Sequence, residues 1–217
     1  MHRSSIYRII SVLQSSGYIR QNSENGKYCL GFKFLEMAEG INFNQELINL
    51  AQPLMVKLMK HTRETCHLMI LDHGEVVYLA KVESPETIRM HSRVGKRMPA
   101  YCTAGGKVLL ANLPRSKQQS ILYNIELKKL TPNTITNREE FLEILKVVSA
   151  EGWAMDNEEN EKGVICLAAP IKRSSKEVVA AVTLSCPAFR TPVECLEEYV
   201  KFVKETAAKI SKQLMGS

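Results

Sequence analysis

The 217-residue sequence predicts an α+β fold, in which a short helix-and-hairpin segment precedes a larger domain built on an antiparallel sheet. Runs of alternating apolar residues come in pairs separated by short polar turns, a pattern typical of β-hairpins. Runs with apolar residues at helical spacing lie before, between and after these pairs. Because hairpins dominate over regular alternation of strands and helices, we expect an α+β domain and not a doubly wound sheet.

The first thirty residues follow the order helix, strand, polar turn, strand. Ile6, Ile9 and Leu13 recur at helical spacing, and we expect them to face inward. Two short strand-like runs follow at 18–20 and 27–30. The Asn25-Gly26 pair between them favours the positive φ angles of a tight hairpin.

This N-terminal segment is also basic. Residues 1–33 carry five basic side chains and one acidic one, whereas the rest of the chain, in a protein of net charge +6, is nearly balanced. A basic segment attached to a nearly neutral domain is typical of a protein that binds nucleic acid through that segment. The polar side chains that the helix and hairpin can present to DNA are Arg3, Ser4, Ser5, Tyr7, Arg8 and Lys27.

The larger domain alternates helical and strand-like runs. We predict helices at 31–42, 45–62, 104–113, 115–123, 137–150 and from 193 to about 213, with strands at 65–72, 75–83, 88–94, 153–157, 164–172 and 178–186. His73-Gly74 marks a hairpin between the first two strands. These elements divide the chain into a partial DNA-binding domain at 1–30, a linker helix at 31–43 and a sensing domain at 44–217.

Composition excludes several classes of protein. The apolar runs are far shorter than the roughly 20 residues of a membrane helix, and no signal-peptide pattern is present. The six cysteines form no C-x-x-C pair, which argues against a disulfide framework or a structural zinc knuckle. We therefore expect a cytoplasmic protein without a cofactor or a membrane partner.

Two segments of the larger domain indicate a ligand site. In the runs at 164–172 and 178–186, one face is bulky and the other carries small or polar side chains. Such a face leaves volume for a ligand, or it allows a helix to approach closely. Thr103 can cap a helix whose first amides belong to Ala104, Gly105 and Gly106, and free amides at a helix start attract an anion. Lys107, one turn on, is either a solvated lysine or a ligand contact.

Several ordered motifs resemble the isocitrate-lyase-regulator (IclR) family of bacterial transcription regulators. The recognition helix and wing of that family resemble residues 3–18, and its central signature resembles 98–111. Further similar segments lie at 156–171 and 182–187, so the resemblance spans nearly the whole chain. In the family, two more helices precede the one that begins this chain. We therefore expect a partial winged helix-turn-helix here, and weak DNA binding by these 217 residues alone.

The resemblance implies a GAF-like effector-binding domain in a homodimer or homotetramer that binds operator DNA in its full-length form. By the same resemblance, the positions that line the effector site are Met90, Ala104, Gly105, Asp156, Cys166, Thr183 and Ser185. Leu30, residues 89–97 and residues 156–159 are similar to the KdgR-like branch, whose members sense pectin-derived sugar acids. This favours a 2-keto-3-deoxygluconate-like effector, although Met90 and Cys166 also suit a smaller keto acid or an aromatic acid.

Two other functions are compatible with the residues. A cysteine nucleophile, Cys166 or Cys102, with His67 or His91 as its base would make an enzyme. A zinc sensor would instead use a set of four ligands: His91, Cys102, Asp156 and Cys166. The irregular spacing of these ligands and the apolar surroundings of the cysteines argue against both alternatives. We expect a regulator and not an enzyme.

Overall fold

A computed structural model describes residues 3–39, 42–88, 90, 92–175 and 177–216. The chain forms two compact units, Met1–Glu46 and Leu47–Ser217. The first unit contains α1 (Arg3–Ser15), β1 (Ile19–Gln21), β2 (Tyr28–Leu30) and α2 (Lys33–Glu39), followed by the start of α3 (Asn42–Thr62). Most of α3 belongs to the second unit, and the helix continues through Pro53.

In the first unit, β1 and β2 pair antiparallel, so that Ile19 lies opposite Leu30. The predicted order of helix, strand, turn and strand is therefore confirmed. The turn differs from the predicted tight hairpin, because Gly26 has a positive φ of 67° and Asn25 does not. Instead, the Asn22 side chain accepts hydrogen bonds from the amides of Glu24 and Asn25 and shapes a longer turn.

The inward orientation of the apolar face of α1 is only partly confirmed. Ile10 and Leu13 are half-buried, whereas Ile6 is 43% exposed and Ile9 is 50% exposed. One helix and two three-residue strands offer too little apolar surface to cover every apolar side chain of α1.

The second unit is built on a six-stranded sheet whose paired strands all run antiparallel. In chain order its strands are β3 (Thr65–Asp72), β4 (Glu75–Val82), β5 (Arg97–Pro99), β6 (Ala154–Asn157), β7 (Val164–Ser174) and β8 (Glu177–Pro187). Their order across the sheet is β5-β4-β3-β8-β7-β6. The hairpin turn at His73-Gly74 is confirmed, since both residues have positive φ and Asp72 pairs with Glu75.

Helices cover both faces of this sheet. α3 and α7 (Val193–Gly216) pack on one face, where the bulky residues of β7 and β8 form a core. On the other face lie α4 (Ala104–Ala111), α5 (Arg115–Asn124) and α6 (Arg138–Glu151). The small residues Ala168 and Ala181 lie in the core of that second face. There, small side chains serve close packing with a helix, as one of the two interpretations predicted.

One predicted strand is wrong. Of the run 88–94, the described residues form no strand, and Arg89 and His91 lie outside the described residues. The strand at the edge next to β4 is instead β5, which pairs with β4 through Val76 and Met98. Local alternation of apolar residues does not specify a strand unless a sheet edge is within reach. No described helix is long and apolar enough to cross a membrane.

Candidate functional site

The start of α4 presents two free amides on the face of the sheet that α4, α5 and α6 cover. Thr103 caps the helix, and its Oγ1 accepts a hydrogen bond from the amide of Gly106 at 3.3 Å. The amides of Ala104 and Gly105 donate no hydrogen bond to any residue that the structure describes. Both residues are buried. Buried amides normally have a partner, and those at a helix N-terminus favour a negatively charged one.

Gly105 lies directly against β3 and β8. A Cβ atom added to it would lie 2.1 Å from Met69 Sδ and 3.0 Å from Thr183 Cγ2. Thr183 is 1% exposed, and its Oγ1 has no hydrogen-bond partner among the described residues. An unpaired buried hydroxyl costs about 1–3 kcal/mol, so this atom is a candidate for a ligand contact.

A row of polar side chains crosses the same region on three adjacent strands. Asp156 pairs with Cys166, and Cys166 pairs with Ser185. The thiol of Cys166 donates to Ser185 Oγ at 3.3 Å. The sheet register therefore brings together the predicted residues Asp156, Cys166 and Ser185, with Thr183 two residues away on β8.

Asp156 is the titratable group of this row. Its Oδ1 accepts hydrogen bonds from the amides of Glu159 at 2.7 Å and Asn160 at 3.4 Å. Its Oδ2 accepts none from the described part of the chain. Burial raises the pKa of Asp156 to about 7, against the lowering effect of the Glu159 amide. The carboxyl group can therefore exchange a proton near neutral pH.

Lys107 is not a solvated lysine, so that alternative is wrong. It is 2% exposed, forms an ion pair with Glu159 and donates to the carbonyl of Met155 at 2.8 Å. This pairing joins α4 to the segment that carries Asp156. It was not predicted, because the two charged residues are 52 positions apart in the sequence.

Sequence reasoning missed Tyr78, and it considered His67 only as a possible base in the enzyme alternative. His67 Nδ1 lies 3.4 Å from Ser185 Oγ, and its ring stacks on Tyr78 with centroids 4.6 Å apart. Burial lowers the pKa of His67 to about 3, so the ring is neutral. His67 lies beside Thr183, its register partner on the adjacent strand β8, and this pairing depends on the sheet topology and not on local sequence.

Met90 lies in the loop between β4 and β5 and is half-buried. Its carbonyl accepts a hydrogen bond from Lys81 Nζ at 3.1 Å, and the carbonyl of Ser92 accepts another at 2.9 Å. Ser92 Oγ lies 2.7 Å from His67 Nε2. Lys81 and His67 are paired neighbours on β4 and β3, so the loop is held beside the polar row.

Comparison with known proteins identifies the family. Residues 42–212 match the family described as the bacterial transcriptional regulator IclR C-terminal domain. The chain belongs to the IclR family. The match covers nearly all of the second unit, including every predicted effector-site residue.

IclR-family relatives extend this similarity to the first unit. The chain is 39% identical over 214 residues to the HTH-type transcriptional regulator KdgR of Escherichia coli K12, covering 99% of this chain and 81% of that protein. The Thermotoga maritima IclR structure has a TM-score of 0.82 at 36% identity, covering 99% of this chain and 87% of that one.

A further IclR homologue, from Microbacterium hydrocarbonoxydans, was crystallised with 4-hydroxybenzoate. It has a TM-score of 0.89 at 25% identity, covering 100% of this chain and 88% of that one. These relatives are transcription regulators and not enzymes, so the expected regulatory class is confirmed.

The cysteines of this IclR-family chain are consistent with that class. Burial raises the pKa of Cys166, and it raises the pKa of Cys102 to about 12. Cys102 Sγ donates to Asn160 Oδ1 at 3.6 Å and to no histidine that the structure describes. Since the thiolate is the nucleophile, protonated buried thiols are poorly suited to catalysis.

Among the described residues, no group of three or more histidine, cysteine, aspartate or glutamate side chains could hold a metal ion. His91, one of the four ligands in the zinc interpretation, lies outside the described residues. A separate open groove of about 670 Å³ is lined largely by α5 and α6, including Arg115, Glu139 and Lys146. It contains none of the predicted site residues.

The first unit places the candidate DNA contacts on its surface. Arg3, Ser4, Ser5, Tyr7 and Arg8 occupy the start of α1, and Lys27 ends the turn before β2; all six are exposed. Tyr7 is 63% exposed. Side chains at a helix N-terminus with this accessibility can reach base edges or phosphates.

Proposed function

We propose that this chain is a transcription regulator whose second unit binds a small organic acid at the start of α4. The observation that carries the proposal is the pair of buried amides of Ala104 and Gly105, which donate to no residue that the structure describes. A carboxylate is the ligand group that satisfies both amides and the helix dipole. The proposed division is a DNA-binding segment at 1–30, a linker at 31–43 and an effector domain at 44–217.

The polar row supports a hydroxylated acid as the effector. Asp156 Oδ2 and Thr183 Oγ1 are without partners among the described residues, and Ser185 Oγ has only weak contacts at 3.3 and 3.4 Å. A plain aliphatic acid would leave these groups unpaired, whereas a polyol chain satisfies them. Cys166 and Met90 supply apolar contacts. We therefore infer a sugar acid of the 2-keto-3-deoxygluconate type.

Titration calorimetry with 2-keto-3-deoxygluconate, pyruvate, glyoxylate and 4-hydroxybenzoate tests this proposal. We expect the sugar acid to bind most tightly. The Asp156→Ala variant should lose most of the affinity for the sugar acid and keep its circular dichroism spectrum. If 4-hydroxybenzoate binds more tightly than 2-keto-3-deoxygluconate, the effector is an aromatic acid and not a sugar acid. Equal affinity of the variant and the wild type would refute the assignment of Asp156.

For the first unit, we propose that α1 contacts the bases and phosphates of operator DNA and that Lys27 contacts a phosphate. The exposure and charge of these side chains support this role. Fluorescence anisotropy on duplex DNA at low salt tests it with the double variant Arg3→Ala/Arg8→Ala. Binding should weaken, and the slope of log affinity against log salt should fall by about two. The matched control is Arg115→Ala/Lys117→Ala on α5, which should bind as the wild type does.

We further propose that the protein acts as a homodimer or homotetramer, because a palindromic operator requires two DNA-binding segments. Exposed apolar side chains around α2 support this assembly: Phe32 is 66% exposed and Leu35 is 65% exposed. Light scattering at micromolar concentration should give a mass at least twice that of the chain. A monomeric mass would refute it.

A further inference from the structure

Tyr78 stands beside the candidate effector site on β4. Its backbone amide donates to the carbonyl of Lys96 at 3.1 Å, and its carbonyl accepts from the amide of Gly95 at 2.8 Å. Its ring stacks on His67 at an interplanar angle of 25°. Hydrogen bonds on both sides of the backbone and a stacked ring fix the position of the side chain.

Two contacts connect Tyr78 to the site. Met69, its partner across β3 and β4, is the side chain that abuts Gly105. His67, on which its ring stacks, approaches Ser185. Tyr78 is therefore one residue removed both from the free amides of α4 and from the polar row.

The phenol of Tyr78 is available to a ligand. It makes no hydrogen bond with the described residues, although the side chain is half-buried. Burial raises the pKa of Tyr78, and the nearby Cys166 and Asp156 raise it further, so the hydroxyl keeps its proton and can donate it.

We propose that Tyr78 is a specificity-determining residue, whose Oη donates a hydrogen bond to an oxygen of the effector chain remote from its carboxylate. This inference rests on the proposed function, in which the carboxylate occupies the amides of Ala104 and Gly105. A short keto acid such as pyruvate has no second polar end to reach Tyr78. A hydroxylated acid of several carbons has one, and Tyr78 selects for it.

The Tyr78→Phe variant tests this role, because it removes the hydroxyl and keeps the ring that stacks on His67. By calorimetry, we expect affinity for 2-keto-3-deoxygluconate to fall about tenfold, while affinity for pyruvate stays unchanged. The matched control is Tyr199→Phe, which removes a phenol that donates to the carbonyl of Thr62 outside the site. This control should leave both affinities unchanged.

The other outcomes of this experiment distinguish a failure of the role of Tyr78 from a failure of the proposed function. Unchanged affinity of Tyr78→Phe for the sugar acid, with normal wild-type binding, overturns the role of Tyr78 and leaves the effector site standing. An equal loss of affinity for sugar acid and pyruvate also overturns a role in specificity, since it points to a general disturbance. Failure of the wild type to bind any of the acids overturns the proposed function and this inference together.

Discussion

Lys107 and Glu159 form an ion pair inside the second unit, with their side chains 3% and 7% exposed. Glu159 Oε1 also accepts from the amide of Asn157 at 3.2 Å. The pair joins the first turn of α4 to the segment that follows β6. As a result, the free amides of the helix and the carboxyl group of Asp156 are held in one place.

Removing one member of this pair should destabilise the fold. Lys107→Met leaves the Glu159 carboxylate buried and uncompensated, which costs about 3–5 kcal/mol of unfolding free energy. Urea denaturation followed by circular dichroism measures the loss. Lys146→Met, which breaks the exposed pair with Glu143, is the control and should change stability little.

The double variant Lys107→Met/Glu159→Gln should recover part of the stability, because it removes both charges from the interior. If Lys107→Met and Lys146→Met lower the free energy of unfolding equally, the buried pair does not stabilise the fold more than an exposed one.

The stability of the wild type should depend on the protonation of Asp156. Its pKa is about 7 in the folded chain and 3.8 when unperturbed. Between these values the folded state retains a proton that the unfolded chain has released, so Asp156 lowers stability as pH rises from about 4 to 7. His67 acts in the opposite direction, since its pKa falls from 6.5 to about 3 on folding.

Comparison of the wild type with Asp156→Asn isolates the first effect, because His67 is present in both proteins. The stability of the variant relative to the wild type should increase from pH 4 to pH 7 and then level off. The increase is on the order of 1.4 kcal/mol per unit of pKa shift. Urea denaturation at half-unit pH intervals measures it; a difference independent of pH would contradict the raised pKa.

Two adjacent glycines should respond differently to alanine. In Gly105→Ala the new methyl displaces the Met69 and Thr183 side chains, so the protein should fold with a loss of about 1–3 kcal/mol and bind the acid at least tenfold more weakly. In Gly106→Ala the methyl meets the backbone carbonyl of Ala100 at 2.1 Å, so folding itself should fail. Thermal unfolding and calorimetry separate the two effects. Gly216→Ala, with open space around it, serves as the control.

The loop between β4 and β5 should depend on Ser92. Ser92→Ala removes the partner of His67 Nε2 and leaves a buried imidazole nitrogen unpaired. We expect faster amide hydrogen exchange in peptides covering 83–96, measured by mass spectrometry. Ser149→Ala, on the exposed surface of α6, should leave this exchange unchanged. Wild-type exchange in Ser92→Ala would show that Lys81 alone holds the loop.

Local sequence was sufficient to predict much of the fold. Apolar alternation predicted β3 with its observed bounds, Thr65–Asp72, and the two unlike faces of β7 and β8. The caps and turns at Thr103 and at His73-Gly74 were also predicted. These features depend on residues within one or two turns of each other, where backbone geometry and side-chain chemistry act directly.

The tertiary structure decided what distant segments do together. The partnership of Lys107 with Glu159, the stacking of His67 on Tyr78 and the choice of β5 as the edge strand depend on chain topology, which local periodicity does not encode. The exposure of Ile6 and Ile9 has the same origin. Helical periodicity indicates which residues share a face of the helix, but it does not indicate whether another element covers that face.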